Sequence, residues 1–340
     1  MRVSPNAVMQ LSVGEKEKIV MNIQSLFHGC LRVEESDGAL VPLRFSQSML
    51  DFYDAEGEMT LVRSRCPAGV RLDAMTDAEE ISFSYTCTRF CRDHLTFDVF
   101  ENDRFMTTLR EPDNSHEGRI SYRRRVSGKG RVTIHLPYTA DVHLRDLNLG
   151  AAEPVAPASH TMLALGDSIT QGMTVLRPSQ SYANLLARLK GVELVNQGVG
   201  SYVFNPESLG DVPLVSADEI LVVYGTNDYT KILEGELTLS AFAGTVREYM
   251  GKLHGLVPST PVYVITPIWR SQQCGEPAQI KLMQQVRGTI ASAAGEQGFA
   301  VIHGLDLLGH DESLLADGLH PNDLGANMMA MNLFRQLSRY

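Results

Sequence analysis

The sequence predicts an α/β domain on a parallel sheet with helices on both faces, preceded by an all-β sandwich. Three observations lead there. From His160 onward, apolar strand-like runs alternate with helix-like segments, and that alternation implies a parallel sheet covered on both sides. Before that point, residues 1–150 hold many short runs rich in Val, Ile, Phe, Tyr and Thr, separated by turn residues, as in a sandwich or jelly roll. The length, 340 residues, fits two cores better than one.

In the β half, strands are expected at Met59 to Arg65, Ile81 to Arg89, His94 to Phe100, Gly118 to Val126, Arg131 to Pro137 and Val142 to Leu149. Turn chemistry at Asp54–Gly57, Glu101–Asp103 and Ser127–Gly130 separates them. The run Arg123-Arg124-Arg125 reads as a solvated strand end beside a hairpin turn, not an anion site. Gly150 to Ser159 is small, proline-bearing and featureless, a linker. The domains are therefore 1–150, a linker at 151–159, and 160–340. The second half should carry strands at Thr161–Leu165, Val192–Asn196, Glu219–Tyr224, Pro261–Thr266 and Phe299–His303. Helices should lie near Ser181–Lys190, Ser240–Leu256, Ala278–Gln297 and Leu324–Ser338.

The first of these strands runs into Gly166-Asp167-Ser168-Ile169. A strand that stops at a tight glycine turn and feeds a helix leaves Ser168 at the carboxyl edge of the sheet, where open α/β sheets bind ligands. It also sits at a helix N-terminus, which favours developing negative charge. A plain N-cap is the competing reading of this tetrapeptide. Three further stretches follow other strands or fill the last loop: Asn196-Gln197-Gly198-Val199-Gly200, Gly225-Thr226-Asn227-Asp228, and Asp317-Gly318-Leu319-His320-Pro321. Parallel strands bring these distant segments to one edge.

Acyl transfer from a serine needs a base, a group that orients the base, and donors for the oxyanion. His320 is the candidate base, with Asp317 three residues earlier to fix its tautomer. The Ser168 and Gly198 N–H groups and the Asn227 amide are the candidate oxyanion donors. Asp228 is expected to shape its loop, and Asp167 to act as a turn and cap residue.

With these four blocks in order, the sequence resembles the SGNH, or GDSL, hydrolases, whose name lists the Ser, Gly, Asn and His matched here by Ser168, Gly198, Asn227 and His320. The resemblance covers about residues 160–340. It implies a flavodoxin-like three-layer α/β/α fold and ester hydrolysis through a Ser-His-Asp triad and an acyl-enzyme, with no metal or organic cofactor. The N-terminal half is similar to the β-sandwich that precedes this domain in some bacterial carbohydrate acetylesterases.

Composition narrows the partners. Net charge is -10, from 40 acidic and 30 basic residues, which disfavours nucleic acid and anionic membrane surfaces. No run approaches a membrane span. Met1 to Asn6 lacks the apolar core of a signal peptide. The odd count of five cysteines suggests a reduced, cytoplasmic protein, with Cys87 and Cys91 as buried thiols. His303, Asp306, His310 and Asp311 read as polar loop residues around the site, without ligand spacing for a metal.

Trp269, the single tryptophan, follows a strand on the catalytic edge. It reads either as a platform for stacking a sugar face or as packing against the loop or the sandwich. Tyr202 and Tyr229 could line the pocket. The expected substrate is a short acyl ester, acetyl above all, on a carbohydrate. The alternatives are an acyltransferase using the same serine, or a glycan-binding protein with an idle second domain. The catalytic domain is expected to be able to fold alone, with the sandwich contributing a wall of the substrate site.

Overall fold

The computed structural model describes residues 23–339, so the reading of Met1 to Asn6 lies outside the described residues. Two antiparallel sheets form the N-terminal sandwich. One orders β1 (Phe27–His28), β4 (Arg71–Thr76), β9 (Gly130–His135), β6 (Leu95–Glu101) and β7 (Arg104–Glu111), with β11 (Glu153–Pro154) also pairing to β4. The other orders β2 (Arg32–Ser36), β3 (Ala39–Leu43), β10 (Ala140–Asn148), β5 (Glu80–Phe90) and β8 (Glu117–Arg123). Between them lies a core including Phe83, Phe97, Val99, Ile134 and Leu144.

The C-terminal sheet is parallel throughout, in the order β13 (Glu193–Gly198), β12 (Thr161–Gly166), β14 (Glu219–Val223), β15 (Val262–Ile265) and β16 (Ala300–Ile302). Its strands are buried on both faces, which is why they read as continuous apolar runs rather than as alternation. Helices α4 (Tyr182–Lys190), α6 (Leu239–Leu256), α7 (Pro277–Glu296) and α8 (Asp323–Leu337) cover it. Phe242, Val246, Met283 and Ile290 pack on one face, and Leu186, Met329 and Leu333 on the other. Two short helices start at the strand ends, α3 (Ser168–Gln171) after β12 and α5 (Thr226–Leu233) after β14.

Three expectations are corrected. Met59 to Arg65 is not a strand: Gln47–Glu56 (α1) and Glu58–Arg65 (α2) form a helical hairpin. Glu58 in the first turn of α2 and Arg63 and Arg65 in the last suit the helix dipole, a cue that a short β-like window hides. The linker is not featureless, since Glu153 and Pro154 pair with Met75 and Ala74. In the triple-arginine run, Arg124 is not solvated. Its guanidinium is covered and donates to Ala78 O and Gly128 O.

The halves are not independent cores. Val41, Phe45, Leu50 and Tyr53 share one cluster with Leu163, Val195, Phe204 and Tyr249 of the α/β half. Val62, Cys66 and Tyr138 share another with Met162, Ile169 and Tyr182. A segment of 157–340 would expose both clusters, against the expectation that the α/β half folds alone. All five cysteines are free, and Cys87 and Cys91 are buried.

Candidate active site

Ser168 opens α3, capped by Asp167, whose carboxylate accepts the Ile169 N–H at 2.9 Å. Its own N–H therefore has no acceptor inside the helix. Ser168 Oγ lies 2.8 Å from His320 Nε2. His320 Nδ1 lies 2.8 Å from Asp317 Oδ2, while Asp317 Oδ1 accepts the backbone N–H groups of Leu319 (3.1 Å) and His320 (2.8 Å). The turn closes because Gly318 takes φ +77°, a conformation other residues rarely adopt, and its carbonyl receives Ser271 N and Gln272 N. Asn322 then caps α8 through Gly325 N and ties the turn down through Ser313 O.

Burial lowers the His320 pKa from its ordinary value. Asp317 opposes this, and the charges of Arg92 and Arg270 add to the lowering. The Asp317 pairing alone would raise it, so burial outweighs that pairing here. For Asp317 the balance goes the other way. Burial raises it, but the bonds from His320 bring it below the usual carboxylate range.

Asn227, in the first turn of α5, donates from Nδ2 to Tyr202 O at 2.9 Å. An amide carries two such hydrogens, so one fixes the side chain and the other remains for a ligand. Asp228 accepts Phe204 N at 3.2 Å and shapes the loop after β13. Burial raises both Asp167 and Asp228 to about 7.

Gly198 departs from its expected role. Its N–H donates to Asn196 Oδ1 at 2.8 Å, so it is already spent. A β-carbon here would lie 2.4 Å from Gln171 N, so the glycine lets β13 press against α3. Gly200 N is likewise engaged, by Gln171 Oε1 at 2.8 Å.

Neither tyrosine lines an open pocket. Tyr202 packs edge-on against Tyr53, and Tyr229 is fully buried, its hydroxyl on Gln273 O and its ring under Arg270. Both satisfy core positions that a sequence next to a motif cannot reveal. Trp269 is half-buried on the second core, with one face stacked on His310 at 5.5 Å, which is the packing alternative. His303 and Asp306 are exposed, and Asp311 caps a short turn through Ser313 N. Among the described residues no group of three His, Cys, Asp or Glu is arranged to hold a metal ion.

Two buried arginines organise the edge. Arg44, after β3, is 1 % exposed and donates to five carbonyls: Cys66 O (2.6 Å), Arg63 O (2.8 Å), Ser64 O (3.3 Å), Asn196 O (2.5 Å) and Gly198 O (3.0 Å). Arg270 donates to Thr226 O and Oγ1 (both 3.1 Å) and Gln272 O (2.8 Å), holding the start of α5. No sequence signal marks either one. Two concavities, of about 470 and 810 Å³, open where sandwich and α/β half meet, and neither is lined by Ser168 or His320.

Residues 164–328 match the model of the GDSL-like lipase/acylhydrolase family. The α/β domain belongs to that family. The protein is thereby placed among the ester hydrolases, with an N-terminal antiparallel domain before an SGNH-like one. The fold is similar to a salicylyl-acyltransferase from a tetracycline biosynthetic pathway, with TM-score 0.80 and 19% identity over 92% of this chain and 94% of that one. It is also similar to a family two carbohydrate esterase from Cellvibrio japonicus (TM-score 0.66, 16% identity, 93% and 96% covered). An acetyl xylan esterase from Butyrivibrio proteoclasticus gives TM-score 0.57 and 14% identity, with 80% and 90% covered. At such identities the likeness is one of fold. No curated protein matches the sequence. No helix among the described residues is long and apolar enough to cross a membrane.

Proposed function

We propose that this GDSL-like domain hydrolyses short acyl esters, acetyl above all, on a carbohydrate, with Ser168 as nucleophile. The observation that carries the reading is the unbroken relay from Ser168 Oγ to His320 Nε2 and from His320 Nδ1 to Asp317, each link 2.8 Å. Ser168 attacks the ester carbonyl as His320 takes its proton. Asp317 holds the imidazole in the tautomer that exposes Nε2 as acceptor and stabilises the imidazolium. The tetrahedral oxyanion is received by the Ser168 N–H and the free hydrogen of Asn227 Nδ2. His320 then protonates the leaving alcohol, and water activated by the same ring clears the acyl-enzyme.

The acyl and sugar assignment rests on fold likeness across both halves to proteins described as carbohydrate and acetyl xylan esterases. A second reading has its own support in the fold of the salicylyl-acyltransferase: the same serine passing its acyl group to an alcohol other than water. A screen of p-nitrophenyl esters of rising chain length beside acetylated oligosaccharides tests both. Hydrolysis restricted to short esters, with acetate released from the oligosaccharides, supports the first. Ester product accumulating when an alcohol acceptor is supplied, with little free acid, favours the second. No turnover on any ester overturns both.

A further inference from the structure

Two half-buried arginines of the N-terminal half, Arg63 and Arg92, border the loop after β13 and the end of α3 with no carboxylate partner among the described residues. Arg63, on α2, donates from Nη1 to Gly200 O at 3.0 Å, and its Nε is buried with no acceptor. Its stem borders the loop after β13 so closely that a β-carbon at Gly200 would lie 3.0 Å from Arg63 Cδ and 2.5 Å from Met173 Cε. Among the described residues Arg92, in the connection from β5 to β6, donates only to the carbonyl of its neighbour Cys91, at 3.1 Å. The Cys91 thiol touches Gln171, the last residue of the helix that Ser168 begins.

Burial lowers both Arg63 and His320 from their ordinary values, and the charge of Arg92 adds to the lowering of each. The acidic groups that bear on Arg63 are the thiols of Cys66 and Cys91, not carboxylates. Elsewhere in this half most buried or half-buried arginines are answered, Arg65 by Asp141, Arg71 by Glu193, Arg131 by Asp73 and Arg44 by carbonyls, while Arg145, on β10, also keeps a buried Nε without an acceptor. Two like charges held together at a partly dry edge cost stability unless an anion joins them. Arginine's planar fork suits a carboxylate or phosphate.

We propose that Arg63 and Arg92 form an anion subsite of the acyl-transfer site, so that the ester turned over carries a carboxylate or phosphate near its scissile bond. This rests on the ester-hydrolysis reading above. The charge can sit in the acyl part or in the alcohol part, and one comparison separates them. In it, kcat/KM is measured for p-nitrophenyl butyrate against p-nitrophenyl hemisuccinate, and for phenyl acetate against 4-carboxyphenyl acetate. Each value is divided by the ester's own hydroxide rate.

In one of the pairs the anionic ester should be favoured by about tenfold or more, and the preference should shrink as salt is raised. Arg92→Gln should bring the ratio toward one, whereas Arg63→Lys, which keeps a charge, should retain part of it. Thermal melting checks that each variant folds. Neutral esters turned over with no anionic preference in either pair, or a preference that survives Arg92→Gln, would overturn the subsite and leave the esterase reading standing. Turnover of none of the four would remove both.

Discussion

On one side of Ser168, the proposed base and its carboxylate come from a single turn. Asp317 and His320 are three residues apart, their bonds are internal to that turn, and α8 anchors it through Asn322. On the other side, the loop from Asn196 to Gly200 is fastened from outside its own domain, by Arg44 and Arg63, more than 130 positions earlier in the chain. The contrast assigns the N-terminal half two jobs. Its sandwich has a self-contained core, while Val41 to Tyr53 and the α2 helix belong energetically to the α/β half. The proposed relay on the near side is built from local parts. The far side exists only because the two halves fold together.

The largest expected effect falls on the near side. Ser168→Ala should cut kcat by about 10⁶ with melting unchanged, because serine and histidine act as a unit. Residual turnover within tenfold of wild type would disqualify Ser168. Next comes Asp317→Asn, expected to lower kcat by up to about 10⁴ through loss of the tautomer lock. Asp317 is nearly half exposed, so water can replace part of its role, and a smaller loss than from His320→Ala is expected. Equal activity would mean that a Ser-His dyad suffices.

Asn227→Ala removes one donor and should cost about 10²–10³ in kcat with KM little changed. Should kcat hold while KM rises, the amide binds ground-state substrate instead.

On the far side the first change is in stability. Arg44→Met leaves carbonyls on both halves without their donor and should cost about 3 kcal/mol or more. Calorimetry should show one lowered transition, not two, because the clusters span the halves. A sandwich melting separately at its wild-type temperature would show that the halves are less coupled than their packing implies.

The same contrast explains what could be read beforehand. The near side is local in sequence: Asp-Gly-Leu-His names its own turn, and Gly-Asp-Ser after an apolar run names a strand end. The parallel strands and the helices from Ser181 onward were legible for the same reason, continuous or periodic apolar runs of sufficient length. Gly198 misled because the glycine is there for close packing against Gln171, and nothing in the string shows that Asn196 captures its N–H. Tyr202 and Tyr229 misled because nearness to a motif says nothing about which way a ring turns. Arg44 and Arg270 were invisible, since a buried guanidinium saturated by carbonyls needs no partner residue that a pattern could pick out. The α1–α2 hairpin was lost to a window too short to separate a helix from a strand.

The smallest predicted effect separates the two sides by sign. His320 must be neutral to accept the Ser168 proton. Its pKa lies below the ordinary value of about 6.5, chiefly because it is buried. kcat/KM should therefore be level at neutral pH and above. Below the lowered pKa it should fall about tenfold per pH unit, with a midpoint under 6.5. Asp317, from the near side, pulls that pKa up, and Arg92, from the far side, pushes it down. Asp317→Asn should thus move the acid limb to lower pH even as the rate drops. Arg92→Gln should move it to higher pH, toward the unperturbed value. Both profiles are measured on p-nitrophenyl acetate, whose neutrality keeps substrate ionisation out of the curve. Shifts in the same direction for the two variants would show that the limb reports another group. No shift for Arg92→Gln would mean that the N-terminal half does not reach the base electrostatically, and that its influence stops at fastening the loop after β13.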